Sequence, residues 1–315
     1  MFFCLLIFTC VICPEGFSEN LDLKQFSCKA RKTLPFLKFQ DVPYGDLPMQ
    51  KLDIHTKNDL IATAESGKIL PLVIFIHGGG WHSGDKADVK TGMLNILADQ
   101  GITVISINYR LAGPDPDELG YYPASLLDAQ QAVRFVRTFA KNFCLNPNKL
   151  GLVGSSAGGW FVQMLGFIET LPQENPKYST VSSRGDCIVD FYGPAVMLDQ
   201  YVFASESAPL GKDSVKNYLQ CKPEENPGLY EESSPITKIG TDGKLLPPIC
   251  IIHGTDDSTV SVEQSRKLFQ SLKDIGADVG CTEIASAGHG WLARSRYEEQ
   301  STPVMIEFLK KHIFP

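Results

Sequence analysis

"LGLVGSSAGGW", residues 150–160, decides how this chain is read. An apolar run enters the stretch, a helical pattern leaves it, and four glycines and two serines crowd the handover. A strand-to-helix junction ordinarily needs one turn glycine. Gly154-Ser155-Ser156-Ala157-Gly158 fits G-x-S-x-G, directly after the strand and at the helix start, which is the context that pattern requires. Ser156 is then expected in a sharp, strained turn. The flanking residues must be small to cross it, and Gly154 and Gly158 supply the room, while Gly159 eases packing of the new helix.

The flanking sequence repeats the same alternation. "LVIFI" (72–76), "ITVISIN" (102–108), "KLGLV" (149–153), "CIVDFY" (187–192), "PICIIH" (248–253) and "VGCTEI" (279–284) read as short buried strands. Helical patterns cover 124–143, 157 to about 170, 262–276 and 303–313. Strands alternating with helices of this length predict an α/β fold with a mainly parallel sheet covered on both faces. Residues 196–244 break the rhythm and are rich in Pro, Ser, Glu and Gly. They are expected to form a small insertion over the carboxyl edge of the sheet, where open α/β sheets bind ligands. No repeat of 20–50 residues is visible, and residues 19–315 are read as a single catalytic domain.

A serine hydroxyl becomes a nucleophile only when a base takes its proton and a carboxylate orients that base. Both follow in chain order. "CIIHGTDDSTV" places Asp256 and Asp257 in the loop after one strand, and "IASAGHGW" places His289 in the loop after the next. Asp257 is taken as the acid because Val260 is left to anchor the following helix; Asp256 is read as a turn residue. The oxyanion formed on acylation needs preorganised donors. "FIHGGGWHSGD" (75–85) follows a strand and matches an H-G-G-G oxyanion loop. Gly79, Gly80 and Ala157 are the expected N–H donors. No G-K-[ST] phosphate loop accompanies these glycines. Trp81, Trp160 and Trp291 flank the same loops and either line a substrate pocket or pack beneath it.

Composition limits the partners. A formal charge of -7 with scattered Lys and Arg gives no basic stripe, which argues against nucleic acid. "FFCLLIFTCVIC" (2–13), followed by "PEGFS", reads as a signal peptide cleaved after Ser18, although its start carries no Lys or Arg. A secreted protein with no stable membrane partner is expected; an uncleaved anchor or a buried N-terminal segment are the alternatives. Six cysteines lie beyond that segment: Cys28, Cys144, Cys187, Cys221, Cys250 and Cys281. They allow up to three disulfides in pairings the sequence leaves open, and Cys187 and Cys250 read equally well as buried small hydrophobes. Neither H-E-x-x-H nor a cysteine-histidine knuckle is present, so no metal and no organic cofactor is expected.

The ordered set "HGGGWHSGDK", "INYRLAG", "YPASLLDAQQAVRFVR", "LGLVGSSAGGW", "SPIT", "IIHGTDDSTV" and "GHGW" resembles the α/β-hydrolase carboxylesterases over about residues 40–312. More closely, it is similar to the secreted group acting on acetyl or feruloyl esters of plant polysaccharides. The resemblance implies an α/β-hydrolase fold, Ser156, Asp257 and His289 as a triad, and the HGGG loop as oxyanion hole. His77 would orient that loop and Asp128 would pack a helix. The implied substrate is a small or polysaccharide-linked ester. Ser155 departs from the G-D-S-A-G of hormone-sensitive-lipase relatives. Kynurenine formamidase relatives share the HGG-x-W loop, so an arylformamidase remains an alternative. A serine peptidase and a binding module that retains the pocket are further ones.

Overall fold

The computed structural model describes residues 36–57, 69–89, 91–113, 119–140, 145–169, 178, 180–207, 209–291 and 295–314. The expected signal segment, Cys28 and Cys144 lie outside them. Eight strands form one sheet: β1 (Phe36–Pro43), β2 (Lys51–Lys57), β3 (Leu70–Ile76), β4 (Thr103–Ile107), β5 (Leu145–Ser155), β6 (Cys187–Phe191), β7 (Ile249–Gly254) and β8 (Val279–Ile284). Their order is β1-β2-β4-β3-β5-β6-β7-β8, parallel from β4 through β8, with β1 and β2 antiparallel at one edge. All six strands expected from sequence are present, in an α/β-hydrolase fold.

Period-2 alternation sorts each strand's side chains between two cores. Leu72, Ile74 and Ile76 of β3 join one apolar cluster; Val73 and Phe75 join the other. The first cluster is covered by α2 (Ala124–Phe139), α3 (Ala157–Phe167) and α7 (Val262–Asp274). The second is covered by α1 (Thr91–Asp99) and α8 (Ser295–Ile313). A sheet buried on both faces explains why its strands are near-continuous apolar runs.

Several elements differ from expectation. The tail helix begins at Ser295, and Pro303 lies within it. Proline removes one i→i−4 hydrogen bond, but Tyr297, Ser301, Met305 and Leu309, four residues apart, are all buried on one face and hold the helix together. Residues 196–244 are more ordered than their composition suggests, containing α4 (Met197–Ser207), α5 (Pro209–Leu219) and α6 (Pro227–Glu232). This segment meets the loops at the strand ends: Trp160 Nε1 donates to Ser233 O at 2.8 Å, and the Tyr218 ring stacks on Trp81 at 4.8 Å. Asp128 does more than pack a helix. It is buried and accepts from Arg110 N, Arg110 Nε and Gln50 Nε2 at 2.7–2.9 Å, fixing the turn after β4. Cys187, Cys221, Cys250 and Cys281 are free thiols, which leaves room for at most one of the three disulfides the sequence allowed.

Candidate active site

The chain runs from β3 to β4 on one side and then returns to β5 on the other, so β3 and β5 are neighbours at a topological switch point. The loop after β3 carries Gly79 and Gly80; the turn after β5 carries Ser156. Both therefore open onto one crevice, which the loops after β7 and β8 reach with Asp257 and His289.

Ser156 has φ 57° and ψ -121°, the left-handed half of backbone space that a side chain rarely enters. Its N–H donates to Phe191 O at 2.9 Å, and its carbonyl accepts from Trp160 N at 3.1 Å. The glycines are there for want of space: a Cβ on Gly154 would collide with Gly158 O, and one on Gly158 with Ile76 O. A Cβ on Gly159 would collide with Asp190 Oδ1.

His289 Nε2 lies 2.9 Å from Ser156 Oγ, and its Nδ1 lies 2.7 Å from Asp257 Oδ2. A carboxylate partner places the proton on Nδ1, leaving the Nε2 lone pair facing the serine hydroxyl. The Asp257 side chain is inaccessible to solvent, whereas the His289 side chain is 21% exposed. Asp257 Oδ1 accepts from Thr259 N and Val260 N, both at 2.9 Å. Burial alone would raise this carboxyl, but hydrogen bonds from His253, His289 and Val260 N hold it well below the usual carboxylate range. The arrangement can move a proton from Ser156 to His289 while a fixed negative charge balances the imidazolium.

The loop after β3 is shaped by its carbonyls. His77 Nδ1 donates to Gly78 O at 2.7 Å, and Gly79 O accepts from His82 N and Ser83 N at 3.2 and 3.1 Å. In a trans peptide the N–H points opposite the C=O. The carbonyls of residues 78 and 79 are held within the loop, so the N–H groups of Gly79 and Gly80 point away from it. Gly79 (φ 115°) and Gly80 (φ 59°) adopt conformations that favour glycine. His77 is buried and stacked on Tyr109 at 4.4 Å; burial lowers its pKa and favours the neutral ring. A second anchor lies further on, where buried Lys86 pairs with Asp41 at 2.9 Å and Asp53 at 3.4 Å.

Trp160 and Trp291 are fully buried and Trp81 is 3% exposed, so all three present packing surface behind the loops. In this conformation they do not line an open pocket. Three further residues approach the site that the sequence reading did not single out. Tyr192 packs edge-on to His289 at 4.9 Å. His253, at the end of β7, faces Asp257 Oδ2 at 3.4 Å. Asp190, beneath the elbow, accepts from Gly193 N and Gln163 Nε2 at 2.9 and 2.8 Å. Two of the three leave a trace in the sequence without showing what they touch: "CIVDFY" places a charge inside a buried strand, and a histidine lies four residues before Asp257.

Burial pushes the Asp190 carboxyl up to about 6, against hydrogen bonds that lower it. The folded state therefore holds a proton the unfolded chain has already released. This group's contribution to stability falls as pH rises from about 4 to about 6 and stays low above that. Asp190→Asn keeps an oxygen for Gly193 N, and a rotated Gln163 amide can accept from the new NH2 group. The variant is expected to melt at or above the wild-type temperature at pH 8, with the difference closing near pH 4. A variant clearly less stable than wild type at pH 8 contradicts this reading.

Sheet order, elbow and crevice define an α/β hydrolase, and the chain belongs to the BD-FAE family, whose model matches residues 58–272. Gly79, Gly80, Ser156 and Asp257 fall within that span. The esterase LipC of Mycobacterium tuberculosis (strain ATCC 25618 / H37Rv) is 30% identical over 272 residues, 84% of this chain and 62% of that protein. An acetylxylan esterase of Xylanibacter ruminicola is 28% identical over 221 residues, 70% of this chain and 40% of its own length. Among solved structures, an acetyl ester-xyloside bifunctional hydrolase from Caldicellulosiruptor lactoaceticus superposes with TM-score 0.68 at 27% identity, covering 86% of this chain and 95% of that one. A truncated carbohydrate esterase from gut microbiota shares the fold at TM-score 0.71 and 24% identity, covering 88% and 96% of the two chains. The chain spans 62%, 52% and 56% of the length of three curated mycobacterial relatives.

Proposed function

We propose that the protein is a serine hydrolase of carboxylic esters, with Ser156 as nucleophile, His289 as general base and acid, and Asp257 as the charge that orients His289. The observation that carries this is the continuous path Ser156 Oγ to His289 Nε2 at 2.9 Å and His289 Nδ1 to Asp257 Oδ2 at 2.7 Å. In acylation His289 takes the serine proton as Oγ bonds to the ester carbonyl carbon. Negative charge moves to the carbonyl oxygen, which the Gly79, Gly80 and Ala157 N–H groups receive. As the intermediate collapses, the carbon–alkoxy bond breaks and His289 Nε2 delivers its proton to the leaving alcohol. Water then attacks the acyl-enzyme by the same path, releasing the acid and restoring Ser156.

The finer assignment is a short-acyl or feruloyl ester, carried on a plant polysaccharide. It is supported by the sequence resemblance and by relatives named acetylxylan esterase and acetyl ester-xyloside hydrolase. A substrate of that kind is met outside the cell, which accords with reading residues 1–18 as a secretory signal. The test is a hydrolysis panel on the full chain: 4-nitrophenyl acetate, butyrate and octanoate, methyl ferulate, acetylated xylan and N-formylkynurenine. Turnover of acetate or ferulate esters well above octanoate, with acetate released from xylan, is the expected result. Preference for N-formylkynurenine would place the protein with the formamidases instead.

A further inference from the structure

His253 does not touch Ser156, yet it is built into the same apparatus. Its side chain has no solvent exposure. Nδ1 lies 2.7 Å from Ser265 Oγ on α7, and Nε2 lies 2.9 Å from Val260 O and 3.4 Å from Asp257 Oδ2. A carbonyl only accepts, so Nε2 carries the proton and the Ser265 hydroxyl donates to Nδ1. One buried N–H is thus shared between the backbone of the acid loop and the carboxylate oxygen that receives His289.

The acid needs such a support. Asp257 sits between Asp256 and Ser258, both exposed, in a loop that leaves the sheet immediately after β7. An ionised carboxylate has about four acceptor positions. Here Oδ1 is filled by Thr259 N and Val260 N, and Oδ2 is divided between His289 and His253. We propose that His253 is a positioning residue for the acid: its shared N–H clamps Asp257 Oδ2 and Val260 O together and aims Oδ2 at His289. This rests on reading Ser156, His289 and Asp257 as the triad.

The consequence appears in the rate per active serine. The N–H of His253 draws on the same oxygen that stabilises the His289 imidazolium. Without it, Oδ2 and Val260 O are no longer tied together, and the looser acid loop loses turnover because Oδ2 is no longer held against His289 Nδ1. Asp190 from β6 and Glu283 from β8 interact electrostatically with His253, and the Tyr192 ring lies edge-on to it at 6.2 Å. None of these is altered in the variants below.

His253→Leu removes every polar contact, His253→Gln can return an N–H toward Val260 O, and Ser265→Ala removes only the far anchor of the ring. Each is compared with wild type after active-site titration with diethyl 4-nitrophenyl phosphate, so that turnover is counted per reactive serine. For His253→Leu the expected kcat per site is about 10-fold lower, in line with the loss of outer partners that orient a reacting group. KM should be nearly unchanged, so that the loss falls on kcat. His253→Gln should recover most of the rate, and Ser265→Ala should show a smaller loss in the same direction. Should His253→Leu not fold, Ser265→Ala carries the test. Wild-type turnover per titrated site in the folded variants, or a loss that falls on KM and is not recovered in His253→Gln, overturns the inference. A wild-type enzyme that takes no phosphate on Ser156 overturns the triad itself.

Discussion

Replacing Ser156 with alanine should lower kcat on 4-nitrophenyl acetate by about 10^5-fold, leaving the circular dichroism spectrum and melting temperature close to wild type. The size follows from what remains. With Oγ gone, no acyl-enzyme can form, and only binding and the oxyanion donors still act on water attack. The fold should survive because the strained φ of 57° at residue 156 is imposed by its surroundings. Its N–H is held by Phe191 O, and the glycines around it are packed against backbone. A well-folded alanine variant that retained more than about a hundredth of the rate would assign the hydrolysis to another residue.

Asp257→Asn should cost about 10^4-fold in kcat. Thr259 N and Val260 N both donate to Oδ1, so the asparagine oxygen must stay with them and its NH2 group must face His289. His289 Nδ1 is then forced to accept, the ring proton moves to Nε2, and Nε2 can no longer receive the Ser156 proton. The same NH2 group also meets the His253 N–H, two donors in one place. Steady-state kinetics with KM nearly unchanged is the expected pattern. A variant within about 10-fold of wild type would show that Asp257 does not set the tautomer of His289.

The readable part of this chain is the part whose rules are local. The elbow could be read because steric crowding within Gly154–Gly159 dictates residue size directly, and the strands because a sheet covered on both faces demands unbroken apolar runs. Strand β2, second from the edge between β1 and β4, could not be read in that way. Its "KLDIHTK" buries Asp53 beside Lys86 and His55 beside Ser106, so polar partners distant in sequence take the place of an unbroken apolar run. Helices α5 and α6 were hidden by Pro209 and Pro227, which mark loops as readily as first helical turns, and α6 has only 6 residues. Within the site, Ser156, Asp257 and His289 follow from chain order and loop position. His253 and Tyr192 matter through contacts that exist only once β6, β7 and the His289 loop lie side by side.

One measurement bears on all of this most directly. Wild-type protein is treated with diethyl 4-nitrophenyl phosphate, the release of 4-nitrophenol is counted, and the modified peptide is located by mass spectrometry. The triad geometry predicts one diethylphosphoryl group per chain, on Ser156, with ester hydrolysis lost in step with labelling. Full ester turnover with no label, or a label on Ser155 or elsewhere with Ser156 unmodified, would contradict it.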